Sequence, residues 1–142
     1  VSTDARATTS LPVEHLFTVH LDIGESSFIK GGPLGNKIIA PIASGTIAGA
    51  RVNGVVIPHS GADWVSMGSN GEMRLDVRFT VKTDDDALIY VSYLGVLAAG
   101  RALSGPLFET GDERYAWLNG VQGIGIGAAS VEGVDYEFYA LV

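Results

Sequence analysis

The stretch Glu72-Met73-Arg74-Leu75-Asp76-Val77-Arg78-Phe79-Thr80-Val81-Lys82 alternates without a break. Met73, Leu75, Val77, Phe79 and Val81 fall on one side, and Glu72, Arg74, Asp76, Arg78, Thr80 and Lys82 on the other. A two-residue period puts successive side chains on opposite faces, so this is a strand with one face in a core. Ser69-Asn70-Gly71 before it and Thr83-Asp84-Asp85-Asp86 after it have turn chemistry, since Asn and Asp side chains bond nearby backbone N–H groups. The neighbours Ala62–Met67 and Ala87–Val96 are then its hairpin partners.

Further out the same pattern recurs. Val13–Ile23 alternates Phe17, Val19, Leu21 and Ile23 with Leu16, Thr18, His20 and Asp22. Glu25–Lys37 reads as a long loop, rich in Gly and Pro. Lys37–Ala43 and Thr46–Ile57 are strands broken at Ser44-Gly45, and Asn53-Gly54 is a candidate tight turn. Pro58–Gly61 is a further turn. Leu97–Leu103 is the one stretch with any helical character, too short to stand alone. Gly111–Arg114 reads as a turn, Tyr115–Gly127 as a strand, and Val131-Glu132-Gly133 as the approach to a last strand, Val134–Val142.

Strands with turn signals about every 8–12 residues indicate an all-β sandwich or barrel. We expect a closed antiparallel β-barrel of about eight to ten strands with an internal pocket, the range seen in small barrels. Crossover helices are missing, which excludes a parallel α/β fold. The 19 glycines lie between short apolar runs, not in a low-complexity block, and no period of about 20–50 residues marks a solenoid. Domain organisation is read as a flexible arm over 1–12 and one barrel over 13–142.

The 142 residues suffice for a core without staples. A net charge of −7 argues against nucleic acid and anionic membranes, because phosphate binding needs a basic face. With no Cys, disulfides, zinc thiolates and a Cys nucleophile are excluded. No apolar run reaches membrane-span length. The polar segment Val1–Ser10 fits a cytosolic N-terminus or the remnant of signal cleavage; the cytoplasm is the expectation, with secretion left open. A homo-oligomer is also left open.

Gly61-Ala62-Asp63-Trp64, Thr83–Val91, Phe108-Glu109-Thr110-Gly111 and Arg114-Tyr115-Ala116-Trp117-Leu118-Asn119 occur in that order. Together with Gly45-Thr46, Gly49 and Asp76–Phe79, this resembles the domain of unknown function 3237 family, from about Leu16 to the C-terminus. The resemblance implies a small antiparallel β-barrel with no generally established activity. Where that family's turn usually reads Thr-Asp-Asp-Gly, this chain has Asp86, so a reshaped turn is expected. Gly95–Leu107 is compact where the family often carries an insertion, which would leave one mouth of the barrel more open.

Candidate residues follow from chemistry and parity. Tyr115, Trp117 and Asn119 share one face of the expected strand, as two pocket walls and a polar anchor or as core filling and a strand cap. Tyr90 is a candidate acid, or an ordinary half-buried strand Tyr. Asp76 and Arg78 are either a buried carboxylate–guanidinium pair or part of a solvated face. Asp63 beside Trp64 is a candidate base, since apolar surroundings raise a carboxyl pKa, or a turn cap. Glu109 has the same two readings, and Asp84 and Asp85 read as turn chemistry. His15 and His20 differ in parity and His59 lies in a turn, so no metal site is expected. Gly123-Ile124-Gly125-Ile126-Gly127 lacks dinucleotide spacing; alternate glycines instead clear one strand face, to open a cavity or admit a ring.

The expectation is therefore a cofactor-independent enzyme of isomerase, lyase or cyclase type. It would move a proton on a small, partly aromatic or carbonyl-bearing molecule. Asp63 or Asp76 is the base, Tyr90 the acid, Asn119 and Arg78 the anchors, and Trp64, Tyr115 and Trp117 the walls. A non-catalytic carrier using the same pocket, and a structural module with a filled barrel, are the alternatives.

Overall fold

Alternation along Met73–Thr83 resolves into a buried face of Leu75, Val77, Phe79, Val81 and Thr83 and an outer face of Arg74, Asp76, Arg78, Thr80 and Lys82. The computed structural model of the protein describes residues 7–130 and 133–142. These form strands β1 Val13–Ile23, β2 Ser27–Gly32, β3 Gly35–Ala48, β4 Asn53–Val56, β5 Gly61–Met67 and β6 Met73–Thr83. Beyond them lie β7 Leu88–Ala98, β8 Arg101–Ser104, β9 Leu107–Glu109, a 3₁₀ helix over Glu113–Gly120, β10 Gly123–Ala129 and β11 Gly133–Leu141. Of the expected arm, 1–6 lies outside the described residues, as does 131–132 of the approach to β11, and 7–12 is exposed and forms no strand.

Eight strands close a ring in the order β6-β5-β3-β1-β11-β10-β8-β7 and back to β6, every neighbouring pair antiparallel. The other three extend it. β4 takes over from β5 between β3 and β6, β9 from β8 along β7, and β2 pairs only with β3. The barrel is thus the expected architecture: its closed ring has eight strands, within the expected eight to ten, and three short strands are added to it.

One half of the barrel is filled. Phe17 lies 5.8 Å from Phe108 and 5.6 Å from Phe138, ring centre to ring centre. The 3₁₀ helix plugs that end with Leu118 and Tyr115, both buried. Asp85 ties the plug to the β6–β7 turn. It accepts from the Tyr115 hydroxyl at 2.8 Å and Thr83 Oγ1 at 2.6 Å, and Arg114 pairs with it at 3.2 Å.

Several expectations change. Glu25–Lys37 is not a loop: β2 and β3 form a hairpin there, and the glycines that suggested a loop supply its turn, Gly31 and Gly35 taking φ of 68° and 97°. Ser44-Gly45 does not break a strand, since β3 runs through it. Asn53-Gly54 is not a turn; the Asn53 side chain bonds the Gly49 N–H and C=O (3.1 and 2.9 Å) and closes the turn before it. Leu97–Leu103 is a hairpin through Ala99-Gly100, both at positive φ, not a helix. Tyr115–Gly127 is split between the 3₁₀ helix and β10, because Asp112 caps a helical turn by accepting from the Arg114 N–H.

The turn after Thr83 is closed by Asp86 in place of glycine. Asp86 takes the left-handed φ of 71° and its N–H donates to Thr83 O at 3.0 Å. A left-handed residue with a Cβ costs about 1–2 kcal/mol. Asp86→Gly should raise stability by about 1 kcal/mol in urea denaturation, the 3.5 Å pair with Lys82 being exposed and weak. An unchanged midpoint would show that Asp relieves the strain locally.

Candidate active site

Opposite the plug the barrel is less completely filled. A cavity of about 100 Å³ lies between Asp63, Tyr136, Leu75, Leu97, Ile38 and Val134. Register explains why a carboxyl points there. Asp63 pairs with Ala40 on β3 and with Val77 on β6, and Val77 pairs with Tyr93 on β7, so all four lie on the inner face. Tyr136 enters from β11, its ring centre 5.5 Å from that of Tyr93.

Asp63 has no cationic partner among the described residues. Its one hydrogen bond is accepted from the Asp76 backbone N–H, at 3.3 Å. Burial pushes its carboxyl up to about 6, opposed by that N–H and reinforced by the Asp76 charge. Burial also pushes the Tyr136 phenol up to about 12 and the Tyr93 phenol well above its ordinary value. Tyr93 Oη is buried and meets no partner in hydrogen-bond geometry. Near neutrality the site therefore presents an ionisable carboxyl poised between acid and base beside the Tyr136 phenol, which stays protonated as a donor, while Tyr93 is buried behind Tyr136, outside the cavity lining. Such a set can take a proton from one atom, return it to another, and stabilise an oxyanion between the two steps.

Of the sequence candidates, Asp63 alone lies in this cavity. Asp76 and Arg78 face outward, paired at 3.2 Å, because they occupy the solvated side of β6. Tyr90 also faces outward, one residue out of phase with buried Ile89 and Val91. Trp64 is exposed on the outer face, with the Arg78 guanidinium 5.2 Å from its ring centre. Tyr115, Trp117 and Asn119 do not share a strand face, since they lie on the 3₁₀ helix. Tyr115 bonds Asp85, Trp117 stacks under Arg51 at 3.6 Å, and Asn119 bonds the Thr110 N–H and C=O at 2.8 and 3.0 Å. Hence Trp117 and Tyr90 do not line one cavity with Asp63.

Tyr93 and Tyr136 are the members that sequence reasoning passed over. Tyr93 is in phase with Ile89 and Val91, and Tyr136 with Val134, Phe138 and Ala140, so parity alone marks both as inward.

Parity fails for the histidines. A β-bulge between His15 and Phe17 shifts the phase, so His15, Thr18 and His20 share the outer face. His20 lies between Asp135 (2.7 Å) and Asp22 (2.9 Å), and Ser44 donates to Asp22 at 2.7 Å. The hydrogen bond to Asp135, then that to Asp22, holds the His20 pKa above its ordinary 6.5. This contribution to stability is present below pH 6.5 and is lost as pH rises through the raised pKa. Among the described residues, no three His, Asp or Glu side chains gather in a way that could hold a metal ion. Nor is any helix there long and apolar enough to cross a membrane.

The family model described as protein of unknown function (DUF3237) matches residues 11–104 and 100–141. The chain belongs to this family. A Rhodopseudomonas palustris UPF0311 protein is 29% identical over 143 residues, covering 87% of this chain and 90% of that one. A β-barrel-like protein of Acinetobacter baumannii superposes with a TM-score of 0.87 at 25% identity, covering 97% of this chain and all of that one. One relative is named as an enzyme. The hydroalkoxylation enzyme phnH of Penicillium herquei is 30% identical over 109 residues, 77% of this chain and 69% of that one.

Proposed function

We propose that this DUF3237 barrel is an acid–base enzyme of cyclase type, adding a hydroxyl across a carbon–carbon double bond within one small phenolic or carbonyl-bearing molecule. The observation that carries this is the unpaired Asp63 carboxyl, pushed up to about 6 in a cavity it shares with Tyr136. The name of the Penicillium herquei relative supports the reaction class. Asp63 takes the hydroxyl proton, the resulting oxyanion forms the O–C bond as the π bond breaks, and the protonated Asp63 carboxyl returns that proton to the far carbon. Reactant and product have the same atoms, so no electrons are exchanged. Tyr136, which lines the cavity, supplies a neutral donor to the oxyanion that precedes ring closure.

A volume of about 100 Å³ is several times what one water needs. It is well below the roughly 300–1,000 Å³ of a drug-sized pocket. Only the reacting end of a substrate enters, and the remainder lies at the mouth against Ile38, Met73, Leu97 and Val134.

The test uses a phenol with an ortho-allylic side chain, incubated with the protein in D₂O. Cyclic ether carrying one carbon-bound deuteron is the expected product. Asp63→Asn should slow its formation by about 10²–10⁴-fold. Wild-type binding without turnover would favour the carrier, and an unaffected Asp63→Asn enzyme would remove Asp63 as the base.

A further inference from the structure

We propose that a second site lies on the outside of the barrel: a groove across β3, β5, β6 and β7 that binds a small planar aromatic carboxylate. Outward residues of neighbouring strands line up here in two rows. Lys37, Ser66 and Arg74 are paired in register across β3, β5 and β6. Trp64 stands beside them on β5 and Leu94 on β7, where it pairs with Asp76. The groove has a volume of about 460 Å³, within the range of small-molecule pockets.

Charge gives the sign of the ligand. The chain carries −7 overall, yet Lys37, Arg74 and Arg78 line this groove with a single carboxylate, Asp76. Arg78 is engaged by Asp76 at 3.2 Å, which leaves Lys37 and Arg74 without an acidic partner among the described residues. Lys37 Nζ donates to Ser66 Oγ at 2.7 Å. That hydroxyl is then an acceptor toward Lys37, and its own O–H is free to donate outward. Two cations and one hydroxyl donor in a row make a seat for a carboxylate.

The aromatic part follows from Trp64 and Leu94. Trp64 is 41% exposed and Leu94 71% exposed, apolar surfaces on β5 and β7 that flank β6, the strand carrying Arg74, Asp76 and Arg78. The Arg78 guanidinium, 5.2 Å from the Trp64 ring centre, closes one side. A planar ring laid between Trp64 and Leu94 buries apolar surface while its carboxylate reaches the Lys37–Ser66–Arg74 row. Leu75 lines both the groove and the interior cavity, and Asp76 bears on Asp63 through its N–H and its charge. The seat itself, made of Lys37, Ser66, Arg74, Trp64 and Leu94, takes no part in the interior cavity, so the groove does not rest on the function proposed above.

The test reads Trp64 fluorescence in a Trp117→Phe background, which leaves Trp64 as the only indole. Benzoate should quench it saturably, and benzamide, equal in shape and neutral, should not. Lys37→Gln or Arg74→Gln should each weaken benzoate by about tenfold, the loss of one charge-assisted hydrogen bond. Asp63→Asn should leave the quenching unchanged. Equal binding of benzamide, or unchanged benzoate affinity in both cation variants, would overturn the proposal.

Discussion

Asp63→Asn is expected to abolish turnover and, at the same time, to make the protein more stable at pH 8. Both effects have one origin. The carboxyl lies inside the barrel with one backbone N–H and no cation, and burial pushes its pKa from 3.8 up to about 6. The folded state therefore holds the proton more tightly than the unfolded chain does. Its favourable contribution is complete below pH 3.8 and is lost as pH rises through about 6. A two-unit gap corresponds to about 3 kcal/mol, an order-of-magnitude figure for a group mostly buried. Asn has the same shape and its Oδ1 still accepts from the Asp76 N–H, but it cannot ionise. Denaturation curves should coincide near pH 3.5 and separate by about 2–3 kcal/mol at pH 8, the variant being the more stable. Coincident curves at both pH values would mean that Asp63 is hydrated, and it would then be a poor base at neutrality.

The legible part of the fold was whatever follows from one strand's own alternation. β6 throughout, and β1 from Phe17 onward, are long with one buried face, so their extents and inner faces are evident from sequence. Asp63 was legible as a candidate, because an acid beside an indole on a short apolar strand stands out. The inward partners were obscured by attention to the wrong face. Tyr90 has the chemistry of an acid but lies one residue out of phase with the inner residues of its strand, Ile89, Val91 and Tyr93. Two further failures concern irregularity. The bulge at His15–Phe17 changes phase within a strand, and nothing local to those residues signals it. Helical capping by Asp112 overrode the apparent alternation of Tyr115, Trp117 and Asn119, which moved three expected site residues to the plug. Cross-strand neighbours were illegible altogether. That Asp63 faces Tyr136 depends on the closure of β1 on β11 and on β3, which only the assembled barrel fixes.

The alternate glycines of β10 provide the second large effect. Gly125 and Gly127 face inward, and the rings of Phe138 and Tyr136 lie across the space their side chains would fill. A Cβ at Gly127 would collide with Tyr136 Cδ1 and stand 2.7 Å from its Cε1, both rigid ring atoms. The glycine therefore positions the phenol that faces Asp63. Gly127→Ala should cost about 1–3 kcal/mol as an overpacked core. It should also displace Tyr136 and depress turnover without touching Asp63. Gly120→Ala is the control, since nothing lies within 4 Å of a Cβ there. Combining Gly127→Ala with Tyr136→Leu separates packing from chemistry. Removal of the ring should recover much of the lost stability, because contacting residues couple non-additively. Turnover should stay low, because the phenol is gone. If the double variant regained activity along with stability, Tyr136 would be only a core residue, and the acid–base site would reduce to Asp63.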